Sequence, residues 1–183
     1  MRRKRVVATL GALVVVAALG MLASSAGFPP GSRVRIELFE LPGPSGAPVG
    51  PVRDGLLVDQ LVEADPSHWA GSFADGHSLV ATYVGVDQAT ARRALTDAGV
   101  SSAVRLEARS VSRADADAVR DLIQGSGLWG SRISGLGFDP YRCVVEVEAR
   151  RPSLELVRRL EEVTSGSDVP VRIHWQLHAP RAV

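Results

Sequence analysis

Residues 69–86 read WAGSFADGHSLVATYVGV, and residues 133–149 read ISGLGFDPYRCVVEVEA. Set roughly 64 residues apart, the two stretches share one rhythm, the mark of an internal repeat. In each, a short apolar strand enters a Phe-containing stretch, turns at an Asp, and resumes as a Val-rich strand. Asp75-Gly76 and Asp139-Pro140 turn for different reasons: Gly accepts positive φ, and Pro holds φ near the value that the first turn position needs. Each stretch is therefore predicted to be a β-hairpin.

The segments after the two hairpins are also alike. After the first, Asp87 can cap a helix whose apolar positions Ala91, Ala94, Leu95 and Ala98 keep helical spacing up to Gly99, and a strand is predicted over Ala103 to Arg109. After the second, Ser153 can cap a helix with Leu156, Val157, Leu160 and Val163 inward, Gly166 stops it, and Val169 to Gln176 forms the last strand. Between the two ββαβ halves, Ser112 with Asp115 three residues later forms a capping box for one more helix, expected to bury Val119, Leu122 and Ile123. Upstream, Arg33 to Glu40 alternates as a half-buried strand. Leu41 to Pro51 is a Pro/Gly loop, and Gly55 to Glu63 is predicted as a second strand.

The expected fold class is α+β, an antiparallel sheet with helices on one face. The expected organisation is a targeting helix over 1–27, spacer, strands and loop over 28–66, an α+β domain over 67–178 and a tail over 179–183. Alternation places Val104, Leu106 and Ala108 opposite Arg105, Glu107 and Arg109. It likewise sets Cys143, Val145 and Val147 against Glu146 and Glu148, and Val171, Ile173 and Trp175 against Arg172 and His174. The polar set is either a solvated face with weak cross-strand ion pairs or a docking face for another protein: Arg105, Glu107, Arg109, Glu146, Glu148, Arg172 and His174.

The chain opens on MRRKR, and from Val6 to Gly27 it carries no charged residue. About 20 apolar residues are needed to span a bilayer as helix, whereas a cleavable signal peptide has an apolar region of about 7 to 15. The run is nearer a span. The basic cluster sets the N-terminus in the cytoplasm and the remainder outside, so the expectation is a cell-membrane protein, single-pass through residues 6–26. If a signal peptidase cuts after Ala26, the protein is secreted instead.

Charge is nearly balanced, with 21 basic and 20 acidic residues for a net +1, so no overall field favours nucleic acid. Cys143 is the single cysteine and cannot form an internal disulfide; on a predicted inward strand face it reads as a small hydrophobe. His68, His77, His174 and His178 show no metal-ligand spacing, and no nucleophile motif surrounds any Ser or Cys. Glu146 and Glu148, flanked by Arg142 and Arg150, read as ion-pair partners rather than an acid/base pair. Gly125, Gly127 and Gly130 lack the Lys of a phosphate loop and are expected to let Trp129 turn back into the core. No catalytic residue, cofactor or metal is expected.

The run WAGSFADGHSLVATYVG and the later SRISGLGFDPYRCVVEVEA resemble, in rhythm over about Trp69 to Gln176, the pro-regions of actinobacterial secreted trypsin-like proteases of the streptogrisin and α-lytic type. They are also similar to uncharacterised exported actinobacterial proteins that carry the same segments alone. The resemblance implies an α/β segment that helps a protease fold and then inhibits it, partly by strand pairing; with no protease domain before Val183, the role expected here is in trans. The stretch GVDQATARRALTDAGV is similar to one helix of the penicillin-binding-protein and kinase-associated modules that sense cell-wall fragments. The expected function is thus non-enzymatic, through protein contacts. A cell-wall ligand-binding module and an enzyme with an unrecognised site are the alternatives.

Overall fold

Two-residue turns with a left-handed first residue match the twist of the strands they join. Gly76, at φ 57, supplies that conformation between β2 (Trp69–Asp75) and β3 (Ser78–Tyr83). The second hairpin, β5 (Ile133–Asp139) and β6 (Val144–Ala149), uses a four-residue turn instead. There Asp139 accepts the backbone N–H groups of Tyr141 at 2.8 Å and Arg142 at 3.2 Å. These features belong to a computed structural model that describes residues 33–37, 52–76, 78–101, 103–149 and 151–175.

The full order is β1 (Val34–Glu37), α1 (Val52–Ala64), β2, β3, α2 (Gln88–Asp97), β4 (Arg105–Ala108), α3 (Arg113–Gly125), β5, β6, α4 (Leu154–Val163) and β7 (Val171–Trp175). The described residues form a mixed α+β fold with four helices and two sheets rather than one. The sheet orders are β2-β3-β4 and β1-β7-β6-β5. Both hairpins are antiparallel, but β4 joins β3 in parallel, β7 joins β6 in parallel, and β1 joins β7 in parallel. The antiparallel expectation is corrected accordingly. A helix between two strands carries the chain back to the starting end of the sheet, so the strand after it enters parallel.

The two halves agree in detail. Each hairpin slips register one residue into its first strand, at Trp69/Gly71 and at Ile133/Gly135. Gly71 then faces Thr82, and Gly135 faces Glu148.

Local capping explains where the helices begin. Asp87 accepts the Thr90 N–H at 2.8 Å, and Ser153 accepts the Leu156 N–H at 3.1 Å. Ser112 and Asp115 form the complete reciprocal box. One core gathers Val58 and Val62 of α1, Trp69, Ala81 and Tyr83 of the first hairpin, Ala91 and Leu95 of α2, and Leu106 of β4. In the second half Val145, Val147, Val171 and Ile173 are fully buried, as are Leu156 and Leu160 of α4 and Val34 of β1. Helix α3 packs against β2 of the first half and against β5, β6 and α4 of the second.

Four readings are corrected. Residues 55–63 are not a strand but part of α1: Val58 and Val62 lie one helical turn apart and are buried, with Leu57 and Leu61 beside them, whereas three consecutive apolar residues at 56–58 cannot alternate. Cys143 lies in the turn before β6 with φ 56, not within the strand, although its side chain is buried. Leu122 is 48% exposed and Trp129 is 45% exposed; Leu128 takes the buried position expected of Trp129. The apolar run of residues 6–27, the Leu41 to Pro51 loop and the tail lie outside the described residues. Among the described residues no helix is long and apolar enough to cross a membrane. All of them belong to one compact unit beginning at Arg33.

Candidate functional site

The seven residues of the expected docking face are divided between the sheets. Arg105 and Glu107 lie on β4 and Arg109 comes directly after it; Glu146 and Glu148 lie on β6, and Arg172 and His174 on β7.

On the first sheet the charges are matched in a chain. Arg105 bonds Asp75 at 2.5 Å and approaches Glu107 at 3.6 Å, while Arg109 pairs with the same Glu107. The Arg105–Asp75 pair is roughly half exposed, where such a contact contributes less than about 1 kcal/mol, and Arg109 is the more sheltered partner at 24%.

On the second sheet, parallel register places Arg172 beside Glu146 and His174 beside Glu148. His174 Nε2 lies 3.2 Å from Glu146 Oε1, and its side chain is only 12% exposed. The imidazole N–H lacks a well-aligned acceptor there, so the contact is one of charge when the ring is protonated rather than a formed hydrogen bond. The glutamates lie over glycines of the neighbouring strand. A Cβ built on Gly135 would stand 2.5 Å from Glu148 Oε2, and one on Gly137 would stand 3.8 Å from Glu146 Oε2. The two glycines of β5, two residues apart, leave the space that two glutamates two residues apart fill.

A joint between the halves was not foreseen from the sequence. The turn of the second hairpin reaches the first hairpin: Gly71, at φ 148, would bring a Cβ within 3.1 Å of the Pro140 ring. Phe73 and Tyr141 meet edge to face with centroids 5.0 Å apart, and the Arg109 guanidinium lies 5.7 Å and 5.8 Å from the two rings. Arg109 thus serves both the charged strand and the joint, an arrangement worth about 0.5–2 kcal/mol per cation–π contact. The only sequence signal was the repeat itself, which puts an aromatic residue near each turn.

A groove of about 680 Å³ lies between α3, the second turn and the segment entering β7. Val111, Val119, Leu122, Cys143 and Val169 form its apolar wall, with Asp115, Arg142 and Asp168 at the margin. The polar groups are engaged: Asp115 closes the capping box, Arg142 approaches Asp139 at 3.7 Å, and Asp168 pairs with Arg33 at 2.5 Å. Among the described residues the hydrogen-bond partner of Cys143 Sγ is the Pro140 carbonyl, at 3.8 Å, and not a basic side chain. His68 is bonded to Asp65 at 2.9 Å. Among the described residues no three His, Cys, Asp or Glu side chains are grouped to hold a metal.

Two exposed carboxylates are held below their ordinary range. Asp87 is held there by the Thr90 backbone N–H it accepts, and Glu155 by its hydrogen bond from Arg132. Both start helices, where negative charge also complements the dipole. Neither lies in the groove or on the charged strands. Compared with protein-family models the chain matches none, and no curated protein matches it.

Proposed function

We propose that this chain is a cell-membrane protein, held by residues 6–26, whose extracytoplasmic α+β unit works without catalysis through contacts with other proteins. Its sharpest form is inhibition of, or folding help toward, a secreted trypsin-like protease in trans, in keeping with the resemblance carried by the two hairpin segments. One observation supports it most: the ionisable side chains on the strands are matched to one another along partly exposed ladders instead of converging on a reactive atom in a cleft. Such ladders suit recognition by strand pairing and complementary charge. The basic start and uncharged run of the first 27 residues support the location.

The groove favours a second reading, a module that binds a cell-wall fragment, since its volume falls in the range of small-ligand sites. One experiment separates them. The full chain, purified from membranes in detergent, is titrated against a purified secreted trypsin-like protease and, separately, sedimented with peptidoglycan. Inhibition at micromolar chain with no co-sedimentation supports the first reading, and co-sedimentation without inhibition supports the second. The mass of the mature protein in membrane and medium fractions checks the anchor.

A further inference from the structure

The equivalence of the halves extends to one sheet edge that is filled in the second and open in the first. Matching the registers makes Arg105, Leu106 and Glu107 of β4 the counterparts of Arg172, Ile173 and His174 of β7. In the second half the outer edge of β7 carries β1 in parallel, with Arg35, Ile36 and Glu37 beside those three residues. In the first half β4 ends its sheet among the described residues.

Backbone direction shows what that edge offers. In a parallel ladder the N–H and C=O of one residue point to the same side, and successive residues alternate. Arg109 N–H donates to the Tyr83 carbonyl at 2.8 Å, so Glu107 and Arg105 also face β3, and Val104, Leu106 and Ala108 face outward. The same rule makes Val171, Ile173 and Trp175 face β1, and the Val171 N–H indeed donates to the Arg33 carbonyl at 3.0 Å. The open edge is closed at one end from within: the Val104 carbonyl accepts Arg92 Nη1 at 2.9 Å, and the Val104 N–H donates to Ser101 at 3.3 Å. Leu106 and Ala108 remain, two donors and two acceptors without a protein partner among the described residues. Ala108 is exposed, and its methyl is too small to obstruct an incoming strand.

From this we infer that the β4 edge accepts an extended segment of a partner protein, running parallel to β4 and presenting an acidic, an apolar and a basic residue beside Arg105, Leu106 and Glu107. Opposite charges side by side on adjacent strands attract, and like charges repel. The chain's own β1 has the reverse order, Arg35-Ile36-Glu37, and would set Arg against Arg105 and Glu against Glu107, so the edge discriminates against it. The inference rests on the protein-contact reading above and names the chemistry of the contact.

The test uses the full chain in lipid nanodiscs and two end-blocked, dye-labelled seven-residue peptides that alternate Thr and Val around a central Glu-Ile-Lys or, in the twin, Arg-Ile-Glu. Fluorescence anisotropy should show the first binding roughly fivefold more tightly than its twin from two cross-strand charge pairs. Ala108→Pro removes one outward donor without touching the β3 ladder and should weaken binding roughly tenfold. If that variant melts at a lower temperature, amide exchange at Leu106 and Ala108 of the unaltered chain replaces it, and slowing at saturating peptide is the expected result. Equal binding of the two peptides, no binding at millimolar concentration, indifference to Ala108→Pro in a variant that melts normally, or unchanged exchange would each overturn the inference. Protease inhibition persisting beside such a failure would leave the protein-contact reading standing and remove only the β4 edge from it.

Discussion

The first and second halves of the unit are the same arrangement put to unequal use. Both run strand, strand, helix, strand, with a register slip at the same place and a parallel third strand. The first buries its core under two helices, α1 and α2, and leaves β4 as an edge. The second uses the same face for α3 and α4 and extends its sheet with β1. A shared backbone plan therefore leaves the edges and the loops free to differ, and the differences lie where a partner could reach them.

The comparison can be broken most severely through the cores. Leu95 and Leu160 are nearly or fully buried, one on each half's returning helix, and Ala at either should cost about 3 kcal/mol. If the halves fold as one cooperative unit, urea melts tracked by Trp fluorescence and by circular dichroism will coincide for both variants. Separate transitions would mean that each half folds by itself.

A smaller effect should distinguish equivalent glycines. Gly71→Ala meets both a positive φ and a rigid proline ring, and is expected to cost about 2 kcal/mol. Gly135→Ala meets only the end of a side chain that can swing away, and should cost no more than about 1 kcal/mol. Adding Glu148→Ala should relieve the second cost and leave the first untouched. Equal losses that Glu148→Ala does not alter would show that the two positions carry the same constraint.

Arg109→Met keeps the stem of the side chain and removes the charge over the two rings, with an expected loss of about 1 kcal/mol. In a double-mutant cycle with Tyr141→Leu the losses should be less than additive, because the partners are shared. Strict additivity would remove Arg109 from the joint.

The smallest effect concerns acid. The carboxyls of Asp87 and Glu155 lie below their ordinary range in the folded chain, so the stability they contribute is complete above the ordinary carboxylate pKa and fades as pH falls through the lowered folded value. Asp87→Asn and Glu155→Gln should each flatten the acid limb of the stability profile slightly, one in each half. A steeper limb in either variant would contradict that sign.

Three helix starts were legible because a cap is local: Asp87, Ser112 and Ser153 each satisfy an amide a few residues away, and spacing alone reveals them. The hairpins were legible for the same reason. The run at 55–63 misled because Leu56, Leu57 and Val58 are consecutive, and a short apolar run reads equally as strand or helix until Val62 is seen to lie one turn beyond Val58. Division into two sheets and parallel entry of β4, β7 and β1 depend on pairing between distant segments, which local pattern does not encode. Of the charged residues read from alternation, Arg105 and Glu107 lie on one strand and Glu146 and Glu148 on another, in separate sheets. The meeting of Arg109 with Phe73 and Tyr141 joins positions on three separate segments, and no spacing announces it.

Helix α3 has a practical bearing on how this molecule could be taken apart. It belongs to neither repeat, yet it contacts β2 of the first and β5, β6 and α4 of the second, and its Ala116, Val119 and Ile123 are buried. Splitting the gene at the loop before it, or at the one after it, would strand greasy surface on whichever product lost the helix. Fragments made that way should precipitate when expressed singly and regain solubility when mixed, making co-expression of complementary pieces a practical route to labelling one repeat at a time.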